Sequence, residues 1–285
     1  MFKKAYVEIT NRCNLHCSFC PGTKRAPRTM SMEEFTMCAD KLRGRAEYIY
    51  LHVMGEPLTH PQIAEIISAA GERGFKVCIT TNGTLLPKMG EALLLSPGLY
   101  KVSVSLHSIE GSGCGADMRE YLAGVWDFCE GARKRGVYCS LRLWNGGGSD
   151  SRNGEILSFL EEKLGYDPMS VTESRNHSRS FSKYLFLECE DQFDWPAMDA
   201  PESGAQYCLG LRNQIGVLAD GTVVPCCLDH EGDIDIGNIF QEDLGDILAS
   251  PRARALYDGF SARRPSEELC RRCGFATRFN KQRDI

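Results

Sequence analysis

The hydrophobic and polar positions of this chain alternate between two periods from residue 5 to about residue 172. Short β-branched or aromatic runs, typical of strands, are separated by longer segments with the i, i+3, i+4, i+7 spacing of helices. The predicted strands are residues 5–9, 48–52, 76–80, 101–105, 138–143 and 169–172. This alternation indicates repeated βα units around a parallel sheet.

The first helix has a well-specified start. Ser31 and Glu34 form a capping box, and apolar residues follow at the helical spacing from Phe35 to Leu42. Six strands with interleaved helices fit an open sheet or a partial barrel, and periodicity alone does not choose between them. In both architectures the ligand site lies at the carboxyl ends of the strands.

The pattern breaks after residue 173. The stretch 173–207 is polar and aromatic without a sustained period, and we interpret it as a segment that covers the barrel mouth. From Cys208 onward, strand-like runs at 214–218 and 222–224 flank an Asp-Gly turn, and a helical piece follows Pro251. We therefore predict an α/β core at 1–180, a bridge at 181–207 and a small cysteine-bearing α+β domain at 208–285.

Composition narrows the possible partners and the compartment. The chain has 33 Lys and Arg against 38 Asp and Glu residues, and its net charge of −5 disfavours nucleic acid as a partner. It shows neither a signal peptide nor an apolar run of membrane-spanning length, so we expect a cytoplasmic protein without a membrane partner. Its 14 cysteines then indicate metal binding rather than disulfides.

Cys13, Cys17 and Cys20 lie on one short loop directly after the first predicted strand. Three thiolates can hold three corners of a cubane iron–sulfur cluster and leave the fourth iron open to a small molecule. The alternatives are a zinc site or unrelated buried thiols. Structural zinc requires four closed ligands, and His16 is too close in sequence to complete a tetrahedron easily.

This loop resembles the CxxxCxxC motif of the radical S-adenosylmethionine (SAM) superfamily, including the aromatic Phe19 before the third cysteine. The resemblance covers residues 5 to about 172. It implies a partial (β/α)6 barrel, a SAM-cleaving [4Fe-4S] cluster on the three cysteines, and contact of Phe19 with the adenine.

Further motifs extend the resemblance to the SAM contacts. The run Met54-Gly55-Glu56-Pro57 resembles the family's glycine-glycine-glutamate motif, which holds the amino group of SAM, although its first glycine is a methionine here. The resemblance also implies polar contacts to the carboxylate and ribose of SAM. The residues in the matching positions are Thr81, Asn82, Ser103 and Ser105, with His107 as support and Arg142 and Asn145 as further candidates.

A second cysteine set lies in the C-terminal domain. The hairpin can bring Cys208 and Cys226 together, and Cys270 and Cys273 then complete four ligands for a cubane cluster or for zinc. The set resembles the SPASM module, and more closely its shortened relative called twitch, which implies one auxiliary [4Fe-4S] cluster. Cys227 is an alternative ligand to Cys226, but adjacent strand residues point to opposite faces.

The resemblance implies reductive cleavage of SAM to a 5′-deoxyadenosyl radical that takes hydrogen from a peptide or small molecule, giving a net oxidation or a peptide modification. It also implies a flavodoxin- or ferredoxin-type electron donor. Cys114, in a glycine-rich loop, is a candidate hydrogen donor. Two alternatives are a radical SAM enzyme that modifies nucleic acid and a non-catalytic iron–sulfur or zinc scaffold that senses redox state.

Overall fold

The computed structural model describes residues 1–113, 115, 117–148, 150–175 and 177–281. One nine-stranded sheet runs through it, in the spatial order β6-β7-β5-β4-β3-β2-β1-β8-β9. The strands are β1 (Phe2–Val7), β2 (Ala46–Tyr50), β3 (Lys76–Thr81), β4 (Leu99–Ser105), β5 (Tyr138–Gly146), β6 (Ser178–Ser182), β7 (Leu185–Asp191), β8 (Gln214–Val217) and β9 (Val223–Val224).

Nine α-helices are present in the described part of the chain. They are α1 (Met32–Leu42), α2 (Ile63–Glu72), α3 (Leu86–Leu95), α4 (Ser108–Ser112), α5 (Met118–Lys134), α6 (Asn153–Leu164), α7 (Leu244–Ala249), α8 (Pro251–Ser261) and α9 (Glu268–Arg271). Short 3₁₀ helices lie at Pro57–Thr59, Pro168–Ser170 and Gly274–Phe279. The predicted capping box of α1 is confirmed, because Ser31 Oγ accepts from Glu34 N and the Glu34 carboxylate accepts from Ser31 N.

The core of the sheet is parallel. Strands β1 to β5 and β7 run in the same direction as their neighbours in this group, while β6 pairs antiparallel with β7. From the C-terminal domain, β8 joins the open side of β1 in parallel and carries β9 as a hairpin. The C-terminal domain is thus continuous with the sheet of the core.

One predicted strand is wrong. Residues 169–172 do not form a strand, and a 3₁₀ helix occupies Pro168–Ser170 instead. The sixth parallel strand is β7, which pairs with β5 and lies within the segment that we predicted as a bridge. The helix start has a local cause, because Asp167 accepts from Met169 N and Pro168 occupies the first turn.

The sheet curves, so that one face forms a lumen and the other packs on the helices. The helix-side positions of β1 and β5, such as Ala5 and Leu141, are fully buried in the main core. On the other face, the charge of Arg142 on β5 acts on the pKa of Lys4 on β1. In a flat sheet these strands would be about 19 Å apart. The sheet is therefore a partial barrel whose lumen holds both side chains.

Candidate functional site

The cysteine loop follows β1 and rests on α4. Ser18 N donates to Gly111 O at 2.9 Å, and Cys17 Sγ contacts Ser108 O at 3.5 Å. Cys13 and Cys20 are exposed, whereas Cys17 is half-buried. Two of the three predicted cluster thiols thus face solvent at the mouth of the barrel, on a loop with an ordered support.

Gly55 fixes the loop after β2 against the chain that leads to Cys13. Its φ is +77°, and a Cβ at this position would lie 2.5 Å from Thr10 O and 2.7 Å from Arg12 O. Glu56 N donates to Arg12 O at 2.8 Å. Only glycine permits both this backbone conformation and this approach. The Gly55-Glu56 motif therefore positions the cysteine loop.

The Glu56 carboxylate joins the second and third βα loops. It accepts from Thr81 Oγ1 at 2.7 Å, from Asn82 N at 2.7 Å and from Leu58 N at 3.0 Å. The residue is only 2% exposed, and burial raises its pKa to about 7 despite these hydrogen bonds. A carboxylate has about four acceptor positions, so about one remains for a ligand. Pro57 starts the 3₁₀ helix beside it.

Asn14 is a residue that the sequence analysis did not identify. Its side chain accepts from Asn82 Nδ2 at 2.9 Å and donates to Thr84 Oγ1 at 2.8 Å. It therefore ties the cysteine loop to the loop after β3. Its position directly after Cys13 was the available sequence signal, but its partners are about 70 residues away.

Phe19, in the cysteine loop, packs against the residues that follow β4. Its ring centroid is 4.7 Å from that of His107, and a Cβ on Gly111 would come within 2.5 Å of the Phe19 ring. Burial lowers the pKa of His107 to about 4, so the ring is neutral near pH 7. His107 Nδ1 lies 3.1 Å from Arg142 O. The predicted adenine contact thus adjoins β5.

The remaining predicted SAM contacts separate into two groups. Ser103 and Ser105 alternate on β4 with the helix-facing Val102 and Val104, so they lie on the lumen side. Arg142 also faces the lumen. Asn145 does not lie on that side: it is fully buried, and its amide exchanges two hydrogen bonds of 3.1 Å with Asn153 of α6. Cys114 lies outside the described residues.

The four predicted auxiliary ligands converge in the C-terminal domain. Burial raises the pKa of Cys226 well above its ordinary value, and the neighbouring thiols of Cys208, Cys227 and Cys270 raise it further. The pKa of Cys270 is also raised well above its ordinary value, by burial and by the thiols of Cys208 and Cys273. Among the residues described, no His, Cys, Asp and Glu group has the geometry of a single-ion site. The donor set is four thiols, which suits an iron–sulfur cluster.

Cys227 packs on the lumen side, although its thiol also acts on the pKa of Cys208 and Cys226. It packs with Tyr6, Met54 and Val224, and the Tyr6 hydroxyl donates a hydrogen bond to its sulfur. Burial raises the pKa of Cys227 to about 11, although this hydrogen bond and the charge of Lys4 oppose the shift. The two adjacent cysteines therefore lie in different environments, Cys226 among the other thiols and Cys227 in the lumen.

Glu8 is a second residue that the sequence analysis did not identify. It is fully buried at the end of β1, where its two oxygens accept from Arg25 at 2.6 and 2.7 Å. The same carboxylate accepts from Met54 N at 3.1 Å and from Ala219 N at 3.0 Å. Arg25 in turn donates to His230 O at 2.8 Å. This carboxylate therefore joins the cysteine loop, the Gly55 loop and the C-terminal domain.

Comparison of the sequence with known protein families agrees with the site described above. Residues 7–160 match the radical SAM superfamily, and residues 208–274 match the SPASM iron–sulfur cluster-binding domain. Because the first match covers more than half of the chain, the protein belongs to the radical SAM superfamily. It is a radical SAM enzyme, and its two domains imply a SAM-cleaving [4Fe-4S] cluster and auxiliary cluster binding.

Two curated relatives illustrate the range of the family. The antilisterial bacteriocin subtilosin biosynthesis protein AlbA of Bacillus subtilis is 24% identical over 95% of this chain, which spans 65% of AlbA's length. GTP 3′,8-cyclase 2 of Pseudomonas aeruginosa is 26% identical over 84% of this chain and 83% of its own length. The relatives thus include a bacteriocin biosynthesis protein and a GTP cyclase.

Solved structures agree on the fold. BtrN in complex with AdoMet and 2-DOIA superimposes with a TM-score of 0.60 at 21% identity, covering 96% of this chain and 93% of BtrN. SuiB of Streptococcus suis bound to S-adenosylmethionine gives 0.61 at 18% identity, covering 97% of this chain and 72% of SuiB. None of the helices in the described ranges is long and apolar enough to cross a bilayer.

Proposed function

We propose that Cys13, Cys17 and Cys20 hold the SAM-cleaving cluster and that the enzyme modifies or oxidises a peptide or a small molecule. When bound, the first cluster supplies the electron that converts SAM into methionine and a hydrogen-abstracting 5′-deoxyadenosyl radical, and the auxiliary cluster supplies an acceptor for the electron left on the substrate. The observation that carries the proposal is the joining of the cysteine loop to the loops after β2 and β3 through Gly55, Glu56 and Asn14.

The chain's own residues bind and orient SAM in this proposal. The remaining acceptor position of Glu56 takes a hydrogen bond from the SAM ammonium, and the neighbouring Thr81 and Asn82 complete this end of the cradle. Ser103 and Ser105 present hydroxyls from the lumen side of β4. Phe19 lies beside the adenine, supported by its contact with His107 and Gly111.

A single auxiliary cluster on Cys208, Cys226, Cys270 and Cys273 fits the C-terminal domain. The mutual electrostatic influence of these thiols supports the assignment. The proposed electron donor for the enzyme is a flavodoxin- or ferredoxin-type protein. We propose that the donor approaches the first cluster on the side of Cys13 and Cys20, which are exposed.

The substrate is proposed to be a peptide, in view of the relatives. AlbA takes part in bacteriocin biosynthesis, and SuiB has been solved bound to the precursor peptide SuiA. The GTP 3′,8-cyclases favour a second candidate, a nucleotide, because one of them matches 84% of this chain. Both candidates use the same SAM cradle and differ in the occupant of the lumen.

The test is anaerobic reconstitution followed by iron and sulfide analysis. The protein is then reduced with dithionite in the presence of SAM, and 5′-deoxyadenosine is measured. A Cys13/Cys17/Cys20→Ala triple variant is expected to retain the auxiliary cluster and to form no 5′-deoxyadenosine. A fully loaded wild-type protein that fails to cleave SAM, or one that binds zinc in place of iron, would overturn the proposal.

A further inference from the structure

The lumen wall carries charged side chains on four strands. Lys4, Lys101, Arg142 and Glu188 occupy positions between residues that are buried against the helices, so they project from the opposite face of the sheet. Each is half-buried rather than buried. Charged groups in this position line the lumen below the carboxyl ends of the strands, since Lys101 is level with Tyr138 at the start of β5. The carboxyl ends are where a substrate meets SAM.

Glu188 bridges two of the three cations. Its Oε1 lies 3.0 Å from Lys101 Nζ, and its Oε2 lies 3.1 Å from Arg142 Nε. Burial acts to raise the pKa of Glu188, but the charges of Arg142 and Lys101 outweigh it and the net shift is downward. The carboxylate is therefore ionised, and Lys4 and one further positive charge are left over.

The other carboxylates that alternate onto this face do not compensate these charges. Glu8 is paired with Arg25 at 2.6 Å, and Glu190 is paired with Arg278 at 3.5 Å. Three cations facing the single carboxylate Glu188 leave a net charge of +2 on this part of the wall. An excess of buried or half-buried positive charge is costly unless an anion accompanies it.

The charged wall adjoins the predicted adenine contact. The Arg142 guanidinium lies 4.3 Å from the centroid of the Trp144 ring, and both residues project from the same face of β5. The backbone between them touches the imidazole of His107, whose ring packs on Phe19. A group bound at Arg142 is thus next to the place where the 5′-deoxyadenosyl radical forms in the proposed function.

Several buried polar atoms lack a hydrogen-bond partner among the described residues. Those on the lumen side include Nε1 of Trp144 and Nδ1 of His52, whose ring lies edge-on to Tyr6 and Tyr50. The indole N–H can only donate. A buried donor without an acceptor is unfavourable in a folded protein, so it points to an occupant with acceptor oxygens.

We propose that Lys101, Arg142 and Trp144 form a site for a negatively charged group of the substrate, a carboxylate or a phosphate. This inference rests on the proposed function and specifies its substrate class. It assigns Arg142, a candidate SAM contact in the sequence analysis, to the substrate instead. Arg142 uses Nε for Glu188 and Nη1 for Thr80 at 3.4 Å, which leaves Nη2 to donate to the anion. Lys101 contributes charge and hydrogens not used by Glu188, and the indole contributes a further N–H.

The experiment is calorimetric titration of the reconstituted, SAM-bound enzyme with two probes, glutarate for a carboxylate and tripolyphosphate for a phosphate. At least one probe is expected to bind, and the tighter one identifies the source of the charge. Arg142→Gln and Lys101→Gln are each expected to weaken binding about tenfold or more, because each removes a charge-assisted hydrogen bond. Glu188→Gln is expected to tighten binding, because it removes the competing carboxylate.

The opposite signs keep the test independent of folding, since a damaged lumen would weaken binding in all three variants. Arg133→Gln is the matched control: it removes an arginine from an ion pair with Glu130 on the exposed side of α5 and is expected to leave binding unchanged. Absence of probe binding by a wild-type enzyme that still cleaves SAM overturns this inference alone. Weaker probe binding by Glu188→Gln than by the wild type also overturns this inference. Failure of the wild type to cleave SAM overturns the proposed function instead.

Discussion

Glu8 and Arg25 form a buried ion pair that joins the first cysteine loop to the C-terminal domain. The carboxylate is fully buried, the arginine side chain is 14% exposed, and their closest atoms are 2.6 Å apart. Buried pairs of this kind need further hydrogen bonds to offset desolvation, and Glu8 has two, from Met54 N and Ala219 N. The pair therefore couples the relative positions of the two proposed cluster sites.

Glu8→Gln is expected to destabilise the protein by about 3–5 kcal/mol, because it leaves the Arg25 charge buried without its partner. Denaturant unfolding of the full chain measures this change. The control is Glu162→Gln, which breaks an ion pair with Arg119 whose side chains are 53% and 69% exposed. It should cost about 1 kcal/mol or less. Equal effects of the two substitutions would show that the Glu8 pair has no special structural role.

The sequence predicted most of the core because its elements are locally encoded. The first five strands and the capping box of α1 required only periodicity and neighbouring residues. The sixth parallel strand was missed although it begins with the apolar run Leu185-Phe186-Leu187. Its lumen-facing Glu188 made the run look like part of a polar bridge. The cations that pair with this carboxylate, Lys101 and Arg142, are 87 and 46 residues away in sequence.

Only part of the proposed SAM and cluster site could be predicted from the sequence, for a similar reason. Cysteine spacing and the Gly55-Glu56 motif are visible along the chain, so they could be assigned before the structure. Glu8 and Asn14 acquire their importance from partners far away in sequence, such as Ala219 and Asn82. Asn145 was a candidate SAM contact because it lies near the end of β5. Its position along the strand places it on the opposite face from Arg142, where it bonds to Asn153.

Gly55→Ala is expected to lower 5′-deoxyadenosine formation about 100-fold, because a Cβ would displace the backbone of residues 10–12 and shift the cysteine loop. Kinetics at varied SAM concentrations measure the loss. Gly44→Ala is the matched control, since Gly44 has a similar φ of +71° but no atom within 4 Å of the added Cβ. It adds backbone strain of about 1–2 kcal/mol and should leave SAM cleavage intact. Full activity of Gly55→Ala would contradict the positioning role.

Glu56 is expected to make the protein less stable as the pH rises. Burial raises its pKa from 4.5 to about 7, so the folded state binds more protons than the unfolded state between these values. Stability therefore falls across this window, by about 3 kcal/mol in total for this group. Glu56→Gln should remove that part of the pH dependence. Unfolding free energies at pH 5 and pH 7.5 for both proteins give the comparison, and identical slopes would contradict the buried carboxylate's role.

The two adjacent cysteines of the C-terminal domain should behave differently when replaced. Cys226→Ala is expected to lose the iron of the auxiliary cluster, because Cys226 lies among the thiols of Cys208 and Cys270. Cys227→Ala is expected to retain it, because Cys227 packs in the lumen against Tyr6. The measurement is iron content with electron paramagnetic resonance of the reduced protein, in a background where the first three cysteines are alanine. Since that background isolates the auxiliary cluster, retention of its signal in Cys226→Ala and loss in Cys227→Ala would reverse the assignment.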